Sequence, residues 1–153
     1  MSWNPTLNAQ NDLPVLLSEL VDVRLVISDG GSTDETLKTA ISSGAVIARG
    51  EAGRGAQLAR GAELAGAANE ITGFLFLHAD CKLQPGWKSA TEKALMAPDT
   101  AWFFRYDPDG KGRSVMWLKF VVWLRGWALR LPYGDQGLLI PREMYDALGG
   151  YDR

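Results

Sequence analysis

The stretch RLVISDGGSTDETLKTAISSGAVIA, residues 24–48, predicts a complete strand–helix–strand unit. Residues 24–28 form a short run of branched apolar side chains, which is typical of a buried strand. Residues 45–48 form a second run of the same kind. Two strands joined by a helix usually lie parallel in one sheet, so this stretch predicts a parallel pair.

The segment between these strands contains signals for a turn, a helix start and a helix end. Gly30 and Gly31 predict a tight turn directly after the first strand. Ser32 and Glu35 have the spacing of a capping box, which indicates a helix that begins at this point. Gly44 is typical of the residue that ends such a helix.

The same alternation continues along the chain. The predicted elements are a glycine turn followed by an alanine-rich helix within 53–68, a strand over 73–78, a helix that begins near Pro85, and a strand over 101–106. The order favours an α/β protein with a mixed, mostly parallel sheet and helices on its faces. We expect residues 1–153 to form a single domain.

Composition excludes several classes of protein. The 16 basic and 18 acidic residues give a net charge of −2, so no overall positive charge favours a nucleic acid partner. A single cysteine, Cys81, excludes a disulfide within the chain and favours a cytoplasmic protein. No window has the roughly 18 uncharged apolar residues of a spanning helix. Residues 1–10 lack the basic and apolar regions of a signal peptide.

Polar side chains follow three of the predicted strands. Asp29 comes after the first strand, Arg49 after the second, and His78 and Asp80 after the third. Ligands of parallel α/β sheets bind outside the carboxyl ends of the strands. We therefore expect these four side chains to lie together at one edge of the sheet.

His78 and Asp80 are a candidate metal site. In an extended segment, residues two apart face the same way. Asp80 would supply a carboxylate to Mg²⁺ or Mn²⁺, with phosphate oxygens and water as further ligands, and His78 would favour Mn²⁺ somewhat. The alternative interpretation is that His78 packs at the strand end and Asp80 caps the following turn.

Two glycine-containing turns offer candidate nucleotide contacts. We interpret Asp29 as a hydrogen-bond acceptor for a base or ribose, because Asp29 and Asp34 would repel a phosphate; the alternative is a capped strand–helix turn. Arg54, between two glycines at a helix start, could hold a diphosphate through its planar guanidinium. The alternative for Arg54 is a surface arginine on a loop.

Five motifs together resemble those of family-2 glycosyltransferases of the GT-A fold. In chain order they are NPTLNAQNDLPVLLSEL, VISDGGSTDET, GRGAQLARGAELA, FLFLHAD and LPYGDQGLLIPREMYDALGGYD. The closest likeness is to a bacterial branch in which HAD replaces the commoner DxD metal motif. The resemblance extends from about Pro5 to Asp152.

This resemblance implies a metal-dependent, inverting transfer of a sugar from a nucleotide diphosphate to an acceptor hydroxyl. Mn²⁺ or Mg²⁺ would stabilise the leaving diphosphate, and a carboxylate would accept the hydroxyl proton. The residues that the resemblance implicates are Pro5, Thr6 and Asn8 at the base; Asp29 at the nucleoside; Arg54, Gly55 and Gln57 near the nucleotide sugar; and Asp80, with His78, at the metal and phosphates.

The chain departs from the family at both ends. Relatives have an apolar strand where this chain has MSWN, and they continue past GGYDR with an acidic segment that holds the base. We therefore expect an incomplete domain that lacks a central strand. Asp135 in PYGDQG is a candidate base, although it could equally fix a loop. A nucleotide-binding module without turnover, or an inactive fragment, is the alternative function. A nucleotidyltransferase with a similar sheet is a further alternative. It would need a glycine-rich, basic loop for phosphate right after the first strand, and the stretch at that place, NPTLNAQND, contains neither glycine nor a basic residue.

A basic, tryptophan-rich segment lies between Gly110 and Gly134. It contains no acidic residue, and its basic and aromatic members are Lys111, Arg113, Lys119, Arg125, Arg130, Trp117, Trp123 and Trp127. A basic helix with tryptophans can lie in a membrane interface, so residues 111–131 are a candidate peripheral contact with the inner face of the membrane and with a lipid-linked acceptor. The alternative is a helix packed on the sheet whose basic side chains reach water.

Overall fold

The computed structural model describes residues 9–68, 70–105, 107, 112–129 and 137–152. Helices and strands alternate through them. The elements are α1 (Leu13–Glu19), β1 (Val26–Asp29), α2 (Thr36–Ser42), β2 (Val46–Arg49), α3 (Arg54–Gly66), β3 (Gly73–Phe76), α4 (Trp87–Leu95), β4 (Trp102–Phe103), α5 (Arg113–Leu129), β5 (Leu138–Pro141) and α6 (Arg142–Ala147).

The predicted strand–helix–strand unit is confirmed. β1 and β2 pair in parallel, with Val26 opposite Val46 and Asp29 opposite Arg49, and α2 connects them. The predicted capping box is wrong, because α2 begins only at Thr36 and Glu35 makes no side-chain cap bond. The register brings the last residues of both strands, Asp29 and Arg49, to the same edge.

The rest of the sheet structure differs from the prediction. β3, β5 and β4 form a second sheet in the order β3-β5-β4, and both of its pairings are antiparallel. The expectation of a mostly parallel sheet is therefore wrong. An apolar run indicates a strand but not the direction of its partner, and β3 pairs with a segment more than 60 residues further along the chain.

Two clusters of buried apolar side chains form the core. The first cluster joins Leu13, Ile27, Ala40 and Ala79, from α1, β1, α2 and the turn after β3. The second joins Ala62, Phe74 and Ile140, from α3, β3 and β5. Full burial of a large apolar side chain contributes about 1.5–3 kcal/mol to the free energy of unfolding. The large buried side chains Leu13, Ile27, Phe74 and Ile140 therefore contribute much of the stability of the fold.

The two sheets are separate in the described part of the chain. There, β1 pairs only with β2 and β3 pairs only with β5, so no main-chain hydrogen bonds join the sheets. A cavity of about 420 Å³ lies between them, lined by residues such as Leu16, Ile27, Leu58, Phe74, Leu75 and Trp87. Helix α3 links the sheets instead, because it packs on β1 through Gly61 and on β3 through Ala62.

Among the described residues we find no helix with the length and apolar character needed to cross a membrane.

Gly61 allows α3 to approach β1 closely, which gives a test of this packing. A Cβ at Gly61 would lie 3.4 Å from the Cβ of Ser28, an ordinary contact, but the extra methyl groups of valine would overlap β1. We expect Gly61→Ala to be tolerated and Gly61→Val to lower the free energy of unfolding by about 1–3 kcal/mol in urea titrations.

Gly126 of α5 provides the matched control. A Cβ added there meets no atom within 4 Å, so Gly126→Val should change the free energy of unfolding by no more than about 0.5 kcal/mol. Equal losses for Gly61→Val and Gly126→Val would show that close packing of α3 on β1 is not the cause.

Candidate functional site

Asp29 is a fully buried carboxylate at the end of β1. Its oxygens accept hydrogen bonds from the backbone N–H of Gly31 at 3.0 Å, from the N–H of Ser32 at 3.1 Å, and from the Ser32 hydroxyl at 2.5 Å. A buried charge is stable only when it is paired and hydrogen-bonded. Asp29 therefore holds the turn after β1, and Ser32 serves Asp29 rather than capping α2.

Two arginines lie beside Asp29. Arg49 of β2 places its Nε 3.7 Å from Asp29 Oδ2, while most of the Arg49 side chain is exposed. Arg60 of α3 donates to the Asp29 carbonyl at 3.3 Å and to the Glu51 carbonyl at 3.4 Å. A Cβ at Gly50 would lie 2.4 Å from the Arg60 guanidinium, so glycine leaves the space that Arg60 fills. The predicted meeting of Asp29 and Arg49 at one edge is confirmed. His78 and Asp80 follow β3, which belongs to the other sheet, so the expectation that all four side chains lie at one edge of a single sheet is wrong.

Gln57 fixes the start of α3 against β1. The Gln57 side chain is fully buried; its amide nitrogen donates to the Ser28 carbonyl at 2.9 Å, and its amide oxygen accepts from the Gly53 N–H at 3.1 Å. Both ends of the amide are thus used by the backbone. The structure gives Gln57 a positioning role, and the nucleotide contact implied for it stays a prediction.

Gly55 lies under the C-terminal segment of the described chain. A Cβ at Gly55 would lie 2.7 Å from the carbonyl oxygen of Asp152. Any larger residue would push this segment away from the start of α3. Gly55 is therefore needed for close approach here, and the nucleotide contact implied for it also remains a prediction.

Arg54 and His78 meet at the start of α3. The Arg54 Nη2 lies 3.2 Å from His78 Nε2, and His78 is buried at 5% exposure. A guanidinium can only donate, so in this contact His78 Nε2 is the acceptor. The lone pair that would bind a metal through Nε2 is therefore used by Arg54 in this arrangement.

His78 and Asp80 do not lie in an extended segment. The strand ends at Phe76, and the Cys81 N–H donates to the His78 carbonyl at 3.1 Å, which closes a turn over these residues. His78 is buried and Asp80 is exposed. The alternation from which we expected both side chains to face the same way is thus absent.

No group of three or more His, Cys, Asp or Glu residues suited to a metal ion occurs in the described ranges. Mg²⁺ and Mn²⁺ commonly bind through one or two carboxylates together with substrate phosphates. An exposed Asp80 can take that role, so its assignment to the metal stays a prediction.

Four predicted site residues, Pro5, Thr6, Asn8 and Asp135, lie outside the described residues.

The role of Arg60 was missed by the sequence reasoning. A usable signal was its position three residues after Gln57, which puts both on one face of α3.

Comparisons of the chain with protein-family models, with curated proteins and with solved structures found no match. A function is therefore inferred from this site and from the order of the motifs.

Replacing Asp29 by asparagine tests its structural role. Asp29→Asn removes the charge that pairs with Arg49 and turns an N–H₂ group toward the N–H donors of Gly31 and Ser32. We expect a loss of about 1.5–3 kcal/mol in the free energy of unfolding, measured by urea denaturation. The exposed Asp99, changed to asparagine, is the matched control and should have little effect. Equal effects of both changes would contradict the role given to Asp29.

Tyr151, which lies near Arg54, predicts how stability depends on alkaline pH. Burial, and then Tyr145, raise the pKa of Tyr151 above its usual 10.0, against a smaller opposite effect of Arg54. The folded state thus keeps the phenolic proton of Tyr151 to a higher pH than the unfolded state does. This contribution is complete below pH 10.0 and is lost as the pH rises through the folded-state pKa.

We therefore expect the free energy of unfolding of the wild type to fall more steeply with alkaline pH than that of Tyr151→Phe. Urea titrations at several pH values on both sides of 10.0 measure this difference. Parallel curves for the two proteins would show that Tyr151 does not titrate differently on folding.

Proposed function

We propose that this chain has a GT-A-like arrangement and is a glycosyltransferase. It binds a nucleoside diphosphate sugar at the carboxyl ends of β1 and β2 and transfers the sugar, with inversion, to an acceptor hydroxyl. The order of the five motifs supports the class of enzyme.

The observation that carries the proposal is the contact between Arg54 and His78. Residues 24 positions apart are brought together beside the first turn of the 13-residue helix α3. The N-terminus of a helix favours anions, and a guanidinium can hold two phosphate oxygens at once. The Arg54 guanidinium and the N-terminus of α3 can therefore bind the same diphosphate.

In this proposal the described residues have distinct tasks. Arg54 binds the diphosphate, and His78 orients the guanidinium through its Nε2 atom. Asp29, with Gln57, holds the turn and the start of α3 in place. Asp80, exposed beside His78, would hold Mn²⁺ or Mg²⁺, which when bound would neutralise charge on the departing diphosphate.

The remaining roles come from the resemblance alone. Pro5, Thr6 and Asn8 would contact the base, and Asp135 would accept the proton of the acceptor hydroxyl. A nucleotide-binding module without turnover would use the same binding residues. Assays of sugar transfer and of donor hydrolysis separate that alternative from an enzyme.

The test is a thermal-shift series with UDP, GDP, CDP and dTDP, each with and without Mn²⁺. A ligand that binds the folded state raises the melting temperature by mass action. We expect one nucleotide to stabilise the wild type in a Mn²⁺-dependent manner. Arg54→Gln should weaken binding by about tenfold to a hundredfold, as expected for a lost charge-assisted contact. Asp80→Asn should remove the dependence on Mn²⁺.

Arg24→Gln is the matched control, because Arg24 is exposed and precedes β1 at the end opposite to Asp29. It should leave nucleotide binding unchanged. If no nucleotide shifts a protein that melts cooperatively, the proposed donor site is wrong. If Arg24→Gln and Arg54→Gln weaken binding equally, the site does not lie at the start of α3.

A further inference from the structure

One face of α5 is apolar and exposed. It consists of Met116, Trp117, Phe120, Trp123 and Leu124, whose exposed fractions range from 41% to 69%. Phe120 is three or four residues from each of the other four, so the five side chains share one face of the helix. We call this surface the α5 aromatic face.

The aromatic rings of this face form a continuous row. The ring centroids of Trp117 and Phe120 lie 5.8 Å apart, and those of Phe120 and Trp123 lie 6.2 Å apart. Val122 lies on a different side of the helix and is only 5% exposed. The aromatic face is thus additional to the side that serves the core, and exposed apolar patches of this kind usually mark interaction sites.

Charge indicates which partner the face suits. Residues 112–129 contain basic side chains, Arg113, Lys119 and Arg125, and no acidic ones, although the whole chain has a net charge of −2. With about 100° of rotation per residue, Lys119 and Arg125 fall on opposite sides of the α5 aromatic face. Arg113 lies on the face, one turn before Trp117. Lys119 forms an ion pair with Asp107, which lies outside the helix.

Basic side chains around an aromatic face match a negatively charged surface with an apolar layer beneath it. Tryptophan and phenylalanine enter the boundary between headgroups and acyl chains, and arginine and lysine attract anionic headgroups. A protein groove would offer the apolar part but gives no reason for a helix without acidic residues. We propose that the α5 aromatic face binds the surface of a membrane that contains anionic lipids, with the helix lying in the interface.

Vesicle sedimentation tests this proposal at low salt. The probes are vesicles of pure phosphatidylcholine and vesicles that also contain phosphatidylglycerol. We expect the full chain to sediment only with the anionic vesicles. The double variant Trp117→Ser/Trp123→Ser should bind about a hundredfold more weakly, because it loses two large apolar groups. Arg113→Gln should weaken binding about fivefold.

The matched control is Met96→Ser/Leu148→Ser, which removes two apolar side chains with exposures of 80% and 67% outside α5. It should bind vesicles like the wild type. Since all four changed positions are exposed, both double variants should keep the wild-type melting temperature, and a melt of each variant verifies this. Both should also keep the nucleotide-dependent thermal shift, so that membrane binding and the proposed function are tested separately.

Three results would overturn the proposal. They are no sedimentation with anionic vesicles, equal sedimentation with neutral vesicles, and equal loss in the Met96→Ser/Leu148→Ser control. Analytical ultracentrifugation addresses a second copy of the chain as the occupant. Self-association that only the tryptophan variant abolishes would assign the face to a dimer instead.

Discussion

The buried carboxylate of Asp29 is the interaction on which the rest of the site depends. A charge without exposure must be compensated by nearby donors, and here those donors come from separate elements. The turn after β1 supplies Gly31 and Ser32, and β2 supplies Arg49. Arg60 of α3 reaches the carbonyl of the same residue. Through its carboxylate and its backbone carbonyl, Asp29 therefore fixes the positions of a turn, a neighbouring strand and a helix.

Helix α3 extends this constraint to the second sheet. Its first turn is bound to β1 through Gln57, and five residues later Ala62 packs against Phe74 and Ile140. A cavity separates β1 from β3, so the hydrogen bonds that would join these strands in a continuous sheet are absent from the described residues. The relative position of Arg54, on α3, and His78, after β3, is thus set by the helix and not by a ladder of hydrogen bonds.

Local patterns predicted the elements from residue 24 to residue 76 well, because each depends on nearby side chains. The branched runs gave β1 and β2, and Gly44 marks the end of α2. Contacts between distant residues could not be predicted in this way. The antiparallel partner of β3 and the bond from Gln57 to Ser28, 29 residues apart, depend on tertiary packing. The aromatic run at 101–106 predicts a longer strand, but among the described residues of that run only Trp102 and Phe103 pair with β5.

The same distinction explains the site. That Asp29 and Arg49 meet follows from parallel pairing, which sequence patterns predict; that Arg54 meets His78 does not. In the proposed function Arg54 has two acceptors, the Nε2 atom of His78 and a charged phosphate oxygen. Hydrogen bonds between two ionised groups are the stronger kind, so the phosphate would draw the guanidinium from His78. In the free protein the contact with His78 then holds Arg54 at the start of α3, ready to bind an anion. This role explains why a buried histidine stands just after β3.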